Sequence, residues 1–230
     1  MIFHADNQGT PGWIESRRGV ITGSRFKDAR DKLKSGAPSK ECLRYAMDVA
    51  RERCGGRAPD TFQNAAMRFG TEQEPLARTA YEAITGYIVD EAGFITTDDR
   101  VFGVSVDGLV DEDGMVEIKT MVSSDTLFTA VVEQDHSAYI DQIYGSLWLL
   151  GRKWCDLILW APDLEPIGAH LNIRRIHRND DYISAMELEL VEFNRLVESY
   201  QARITAVQPN AELLMNAPPA AARVTAWGGV

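Results

Sequence analysis

Ser105-Val-Asp107-Gly-Leu-Val-Asp-Glu-Asp-Gly114-Met-Val-Glu117-Ile118-Lys119 is the stretch whose reading decides the fold. Val101 to Val106 and Met115 to Val122 read as strands, and Asp111-Glu112-Asp113-Gly114 between them is a turn signal. Side chains alternate along a strand, so Glu117 and Lys119 share a face while Ile118 points into the core. Asp107 sits at the end of the preceding strand, across the turn. Two carboxylates and the Ile118 carbonyl in one place form a hard, oxygen-rich site that suits Mg²⁺, with Mn²⁺ as the alternative. Lys119 beside them is positioned to orient an attacking water or to steady developing negative charge. The competing reading is a solvent-facing hairpin in which Glu117 and Lys119 form a weak surface pair. A calcium EF-hand loop fails: aligned on Gly114, its first and last ligand positions are Leu109 and Thr120.

Working outward, Thr22 or Ser24 is expected to cap a helix running to about Leu33, stopped by Ser35-Gly36-Ala37-Pro38. Ser39 opens the next helix, with Leu43, Ala46, Met47 and Ala50 at helical spacing and Gly55-Gly56 at its end. A third helical region is expected from about Thr61 to Ile84, broken near Gly70 and closed by Gly86. Tyr87 to Ile95 reads as a strand. Ser137 opens a helix to about Leu150. Trp154 to Trp160 and Gly168 to Ile176 read as strands, and Asp180 begins a long helix to about Ala206. The expected fold class is α/β (α+β), a central mixed β-sheet flanked by helices. One domain is expected over 1–207: N-terminal helices 20–85, a sheet core 87–176 and a C-terminal helix 180–206. An Ala/Pro-rich tail is expected over 208–230.

Three further places carry polar residues suited to chemistry. Glu74, in Phe69-Gly-Thr71-Glu-Gln-Glu74-Pro75, either adds a carboxylate to the hairpin site or closes a capping box with Thr71 as N-cap. Gln142 borders an apolar stripe of Tyr139, Ile143, Leu147 and Leu150. It either faces water or reaches a bound water or anion. Arg17, Thr22 and Ser24 lie at a helix start, an arrangement that accepts anions or simply caps the helix among solvated arginines.

The composition is globular, with 45% hydrophobic and 25% charged residues among 230. The three widely separated cysteines suit a reducing cytosol, not a disulfide framework. The first residues lack the pattern of a signal peptide, and the longest apolar stretch is too short to span a membrane. A soluble, cytoplasmic protein with no membrane partner is expected. The net charge of −10 excludes simple whole-surface attraction to nucleic acid. Seven basic residues between Arg17 and Lys34 nevertheless suggest one basic, DNA-facing surface on an acidic body.

Five segments in order carry a resemblance: Trp13 to Ser24 (Trp-x₃-Arg-x-Gly-Val-Ile-Thr-x-Ser), Gly70 to Glu74, Ser105 to Leu109 (Ser-x-Asp-Gly-Leu), Glu117-x-Lys119, and Ser137 to Trp148 with Ser-Ala-Tyr-x₂-Gln. Together they resemble the phage lambda-type exonucleases, the YqaJ-like viral alkaline recombination nucleases of the PD-(D/E)xK superfamily, over about Trp13 to Trp160. The resemblance implies a restriction-endonuclease-like core and an exonuclease that digests one strand of linear duplex DNA from its 5′ end. Mononucleotides are released and a 3′ overhang is left for single-strand annealing. It implies catalytic roles for Asp107, Glu117, Lys119, Glu74 and Gln142, with two Mg²⁺ ions held by Asp107, Glu117 and the Ile118 carbonyl. It assigns the 5′-phosphate to Arg17, Thr22 and Ser24, a strand-separating wedge to Met67 and a duplex contact to Lys34. A ring-shaped homotrimer and a phage annealing protein as partner are implied as well. The sequence departs from the family where Thr120-Met121 follow Lys119 and where Tyr144 replaces a glutamine.

Two rivals remain open at this level. An endonuclease of the same superfamily would carry the same core, and would differ by cutting covalently closed circles. A non-catalytic DNA-end-binding module would not need the full Asp107, Glu117 and Lys119 set.

Overall fold

The computed structural model describes residues 1–6, 8–57 and 65–207. Its strands are β1 (Ile2–Phe3), β2 (Ile21–Thr22), β3 (Val89–Asp90), β4 (Phe94–Thr96), β5 (Phe102–Ser105), β6 (Gly108–Val110), β7 (Gly114–Thr120), β8 (Trp154–Trp160) and β9 (Leu171–His177). Its helices are α1 (Pro11–Arg17), α2 (Phe26–Ala29), α3 (Lys40–Arg53), α4 (Ala65–Thr85), α5 (Ser124–Leu127), α6 (Ile140–Leu150) and α7 (Asp180–Thr205). The expected mixed sheet flanked by helices is present, divided in two. One sheet has the order β1-β4-β5-β2 and the other β3-β6-β7-β8-β9. The division falls at Val106-Asp107, where the chain leaves β5 in the first sheet and enters β6 in the second. Asp107 therefore sits at a seam, not at the end of a simple hairpin.

The central strands β7 and β8 of the five-stranded sheet are buried on both faces, and alternation divides their side chains between them. Met115 and Leu157 join one core with Tyr45 and Val49 of α3, Ile143 and Leu147 of α6, and Leu190 of α7. Val116, Ile118, Ile158 and Trp160 face the other way, onto Ala77 and Tyr81 of α4. β7 runs antiparallel to β6 and parallel to β8, which returns antiparallel as β9. Gly114 is required where β7 starts, because a Cβ there would lie 2.1 Å from the Trp154 ring.

Several boundaries differ from expectation for identifiable reasons. The expected helix from Thr22 or Ser24 to Leu33 shrinks to a 3₁₀ turn, Gly23–Arg25, and the four residues of α2. Neither Thr22 nor Arg25 caps it with a side chain. The chain turns away because Arg30 is drawn to Asp141, Tyr182 and Glu189, and Lys32 bridges to Pro38. Ser39 caps α3 as expected, accepting from the Cys42 N–H at 3.1 Å. The buried face of α3 centres on Cys42, Tyr45, Ala46, Val49 and Ala50, so the expected Met47 is exposed.

α4 runs unbroken through Gly70 and Pro75. Thr71 is therefore inside the helix, its hydroxyl donating back to the Met67 carbonyl, and the capping box around Glu74 does not form. The expected start near Thr61 lies outside the described residues. Ser137 does not open α6; residues 137–139 form a turn, and the helix begins at Ile140. A short helix and a π-helical turn at 124–132 were not expected from the sequence. The tail over 208–230 lies outside the described residues. Among those residues, no helix is long and apolar enough to cross a membrane.

Only Ala77 and Tyr81 of α4 are fully buried, so one polar contact has unusual leverage on where the helix lies. The Tyr81 hydroxyl donates to Asp156 on β8 at 2.8 Å. Arg175 on β9 grips the same carboxylate with two bonds, at 2.8 and 2.7 Å. Asp156→Ala is expected to lower stability by about 2–3 kcal/mol, and Tyr81→Phe by about 1 kcal/mol. Urea midpoints measure both; an Asp156→Ala midpoint equal to that of the parent chain would remove this anchor from the account.

Candidate active site

β6 begins at Gly108, which pairs with Val116, and that register extended back by one residue sets Asp107 opposite Glu117. Just ahead of the β6 ladder, the Ile118 N–H donates to Asp107 Oδ2 at 2.6 Å. The seam between the sheets thus holds a carboxylate against the central strand. Glu117 is 1% exposed, which excludes the solvent-facing hairpin. Its Oε1 accepts from Lys119 Nζ at 2.6 Å and from Gln142 Nε2 at 2.5 Å. Lys119 Nζ also lies 3.4 Å from Gln142 Oε1. Glu117 Oε2 is buried with no hydrogen-bond partner. A carboxylate oxygen left bare out of water is costly, and it marks where a cation or donor is missing from the site's own inventory.

The electrostatics follow from burial. Desolvation, helped by Asp107 and Glu74 and opposed by Lys119, pushes Glu117 up to about 7. Desolvation followed by repulsion from Asp107 lifts Glu74 to about 7. Burial also raises Asp107, against the pull of Lys119 and Arg78. For Lys119, burial acts to lower the pKa, but Glu117 and Asp107 outweigh it and hold the ammonium raised. Lys119 keeps its proton. The site is a carboxylate cluster incompletely neutralised by the cations around it.

Glu74, Arg78, Glu91, Gly93, Val106 and Asp107 line a cleft of about 320 Å³. Glu74 thus reaches the rim of the hairpin site. Among the described residues, however, no three His, Cys, Asp or Glu side chains gather closely enough to hold a metal ion by themselves. Glu74 nevertheless shares the cleft with Asp107 and is repelled by it. A larger groove of about 530 Å³ lies between Cys42 and α7 and contains none of these groups.

Arg17 packs its guanidinium over Trp13, 4.3 Å from the ring centroid, and over Phe94 at 5.0 Å. Its Nη1 donates to Ser105 Oγ at 3.3 Å, two residues before Asp107. Burial lowers its pKa, and among the described residues no carboxylate lies within ion-pairing distance. Thr22 is buried, its N–H donating to the Tyr45 hydroxyl. β2 sets Thr22 beside Gly103 on β5, the strand that ends at Ser105. Ser24 is exposed and is not drawn to Arg17 by any hydrogen bond. Met67 is 53% exposed on the first turns of α4, and Lys34 is exposed in the turn after Lys32.

The expected basic surface is largely neutralised. Arg18 pairs with Glu15, Arg25 with Asp28 and Glu41, Arg30 with Asp141 and Glu189, and Lys32 with Glu189. Tyr144, at the position of the missing family glutamine, packs on Tyr182 with ring centroids 4.7 Å apart. Sequence reading missed Arg78. Its signal was the i+4 spacing from Glu74, which puts both on one face of α4.

Comparison with known proteins places the chain in a family. The profile of the YqaJ-like viral recombinase domain matches residues 12–153. The alkaline exonuclease LHK-Exo from Laribacter hongkongensis is 31% identical, with a TM-score of 0.76, over 85% of this chain and 96% of its own. Its structure in complex with dAMP gives 32% identity over the same shares, again with a TM-score of 0.76. A phage-related exonuclease from Haemophilus somnus 129PT shares the fold at 15% identity, with a TM-score of 0.63 over 81% of this chain and 95% of its own. Among curated proteins, none matches significantly. The match spans the seam and the central strand that build the site, and the chain belongs to the YqaJ-like viral recombinase domain family of alkaline-exonuclease-like nucleases.

Proposed function

We propose that this chain is a Mg²⁺-dependent exonuclease that digests one strand of linear duplex DNA from 5′ to 3′, releasing mononucleotides and leaving a 3′ overhang for annealing recombination. The observation that carries the reading is Glu117, buried beside Asp107 and Lys119 with one oxygen bare. That donor set, with the Ile118 carbonyl, fits hard divalent ions such as Mg²⁺ or Mn²⁺, and we assign two ions to the site. When bound, such ions lower the pKa of a water and neutralise charge on the phosphate. Lys119, held by Glu117 at 2.6 Å, is placed to orient the nucleophile and to steady charge on the phosphate. Gln142 fixes Glu117 and Lys119 relative to each other through bonds to both. Glu74 adds a third carboxylate at the rim of the cleft.

Polarity is assigned to Arg17. Its desolvated guanidinium reaches Ser105, which is two residues before Asp107 and so at most about 7 Å from it along the chain. A terminal phosphate held there would leave the next phosphodiester near the carboxylates. Thr22 and Ser24 complete this subsite in the proposal, Met67 acts as the wedge at the terminal base pair and Lys34 touches the duplex. The family likeness extends the proposal to a ring-shaped homotrimer working in the cytoplasm with a phage single-strand-annealing protein. A ring would let basic inner residues meet DNA while the net charge stays at −10.

Three measurements test these assignments. With Mg²⁺, the chain is expected to degrade 5′-phosphorylated linear duplex to mononucleotides and to spare covalently closed circles. Asp107→Ala should cost more than the ~100-fold typical of losing an outer partner of a metal ligand. Nicking of circles at a comparable rate would instead make it an endonuclease. Arg17→Ala should slow digestion of 5′-phosphorylated ends toward the rate on 5′-hydroxyl ends; an equal loss on both would remove the phosphate subsite.

The third concerns Glu74 in metal-free protein. Because its folded pKa is raised to about 7, its contribution to stability is complete below the ordinary carboxylate range and is lost as pH rises through 7. Glu74→Gln should therefore raise the melting temperature in EDTA at pH 8 and leave it nearly unchanged at pH 4. A variant melting below the parent at pH 8 would contradict the repulsion assigned to this cluster.

A further inference from the structure

Arg78 projects from α4 one turn beyond Glu74 into the same cleft, with its side chain 16% exposed. A guanidinium has five donors and no acceptor. Here Nη2 donates to the Asp107 carbonyl at 3.3 Å and Nη1 meets Glu91, while Nε is buried with no partner. The cation is thus desolvated, short of acceptors and tied to the backbone of a site carboxylate. Its ion-pair partner among the described residues is of a different character: Glu91 is 75% exposed, in the segment between β3 and β4. An ion pair with one partner so exposed contributes little and is readily exchanged for a better acceptor. A phosphate offers several oxygens, two of which a planar guanidinium can meet with paired bonds.

We propose that Arg78 is a phosphate-binding residue of the cleft, held in the free protein by Glu91 and transferred to a nucleotide phosphate when DNA enters. Glu91 acts as a surrogate anion. It keeps the guanidinium extended and oriented while the site is free of substrate, and it swings into water when the phosphate arrives. Arg78 then links the bound phosphate to the Asp107 main chain, so substrate entry and the position of a site carboxylate are coupled through one side chain. The proposal rests on the nuclease reading for the identity of the phosphate, but its physical content is anion exchange at Arg78.

Binding in EDTA tests it apart from cleavage. The dissociation constant of a fluorescent 5′-phosphorylated duplex, and its competition by deoxyadenosine 5′-monophosphate, would be measured for the parent chain and for Arg78→Ala, Glu91→Ala and Asp90→Asn. Arg78→Ala should weaken duplex binding about 10–100-fold and reduce the salt slope by about 1. Glu91→Ala should tighten binding of both probes, because the competing anion is gone. Asp90→Asn removes a neighbouring exposed charge and should have a clearly smaller effect. Unchanged binding by Arg78→Ala overturns the proposal, as do equal gains from Glu91→Ala and Asp90→Asn, which would reduce the effect to general electrostatics. If Arg78→Ala does not fold, the Glu91→Ala and Asp90→Asn pair decides. Failure of the parent chain to cut DNA with Mg²⁺ would sink the nuclease reading while leaving these binding comparisons meaningful.

Discussion

Glu117 is a carboxylate taken out of water on the central strand, and much of the site can be understood as the surroundings that make this tolerable. Burying a carboxylate without compensation costs several kcal/mol. Lys119 and Gln142 compensate one oxygen and leave the other bare. Those two bonds require α6 to pack with Gln142 toward β7 and Lys119 to share the face of Glu117. Asp107 adds a second carboxylate from the residue just before β6 begins. The result is a cluster whose charges repel and whose own partners do not satisfy it.

That imbalance matters because the scaffold around it is firmly packed. Both faces of β7 and β8 are packed against helices, so β7 has little freedom to turn Glu117 toward solvent. The tension is confined to side chains and passes to whatever positive charge enters. A cluster of this kind is poor at stabilising the fold and well suited to taking up a cation, which is the trade expected where local rules are broken at a functional site.

Much of the fold was legible in residues. The strand pattern of Met115 to Val122 and the apolar run from Trp154 to Trp160 identified the two central strands, and Ser39 and Asp180 marked real helix starts. The failures have physical causes. Thr71 and Glu74 satisfy the spacing of a capping box, but contacts of Ala77 and Tyr81 with the sheet carry α4 straight through them. Thr22 and Ser24 look like caps, yet Arg30 is pulled toward α7 and shortens the helix that they would begin. The basic run from Arg17 to Lys34 promised an open positive surface, but Arg18 and Arg25 pair with nearby carboxylates and Arg30 and Lys32 with distant ones on α6 and α7.

The sequence by itself determined which residues share the central strand, because a period of two is a local property of the backbone. It also supplied the ordered segments by which the family is recognised. Only the tertiary structure decided that Glu117 is buried, that Asp107 stands opposite it at a seam between two sheets, and that Arg17 reaches Ser105 beside that seam. These depend on where one strand stops and which helix covers it. Arg78 belongs to the same class: its spacing from Glu74 was visible, but its burial, its orphaned Nε and its exposed partner Glu91 arise from packing between segments distant in the chain. Local periodicity can be read along the sequence, whereas desolvation depends on everything that surrounds a group in space.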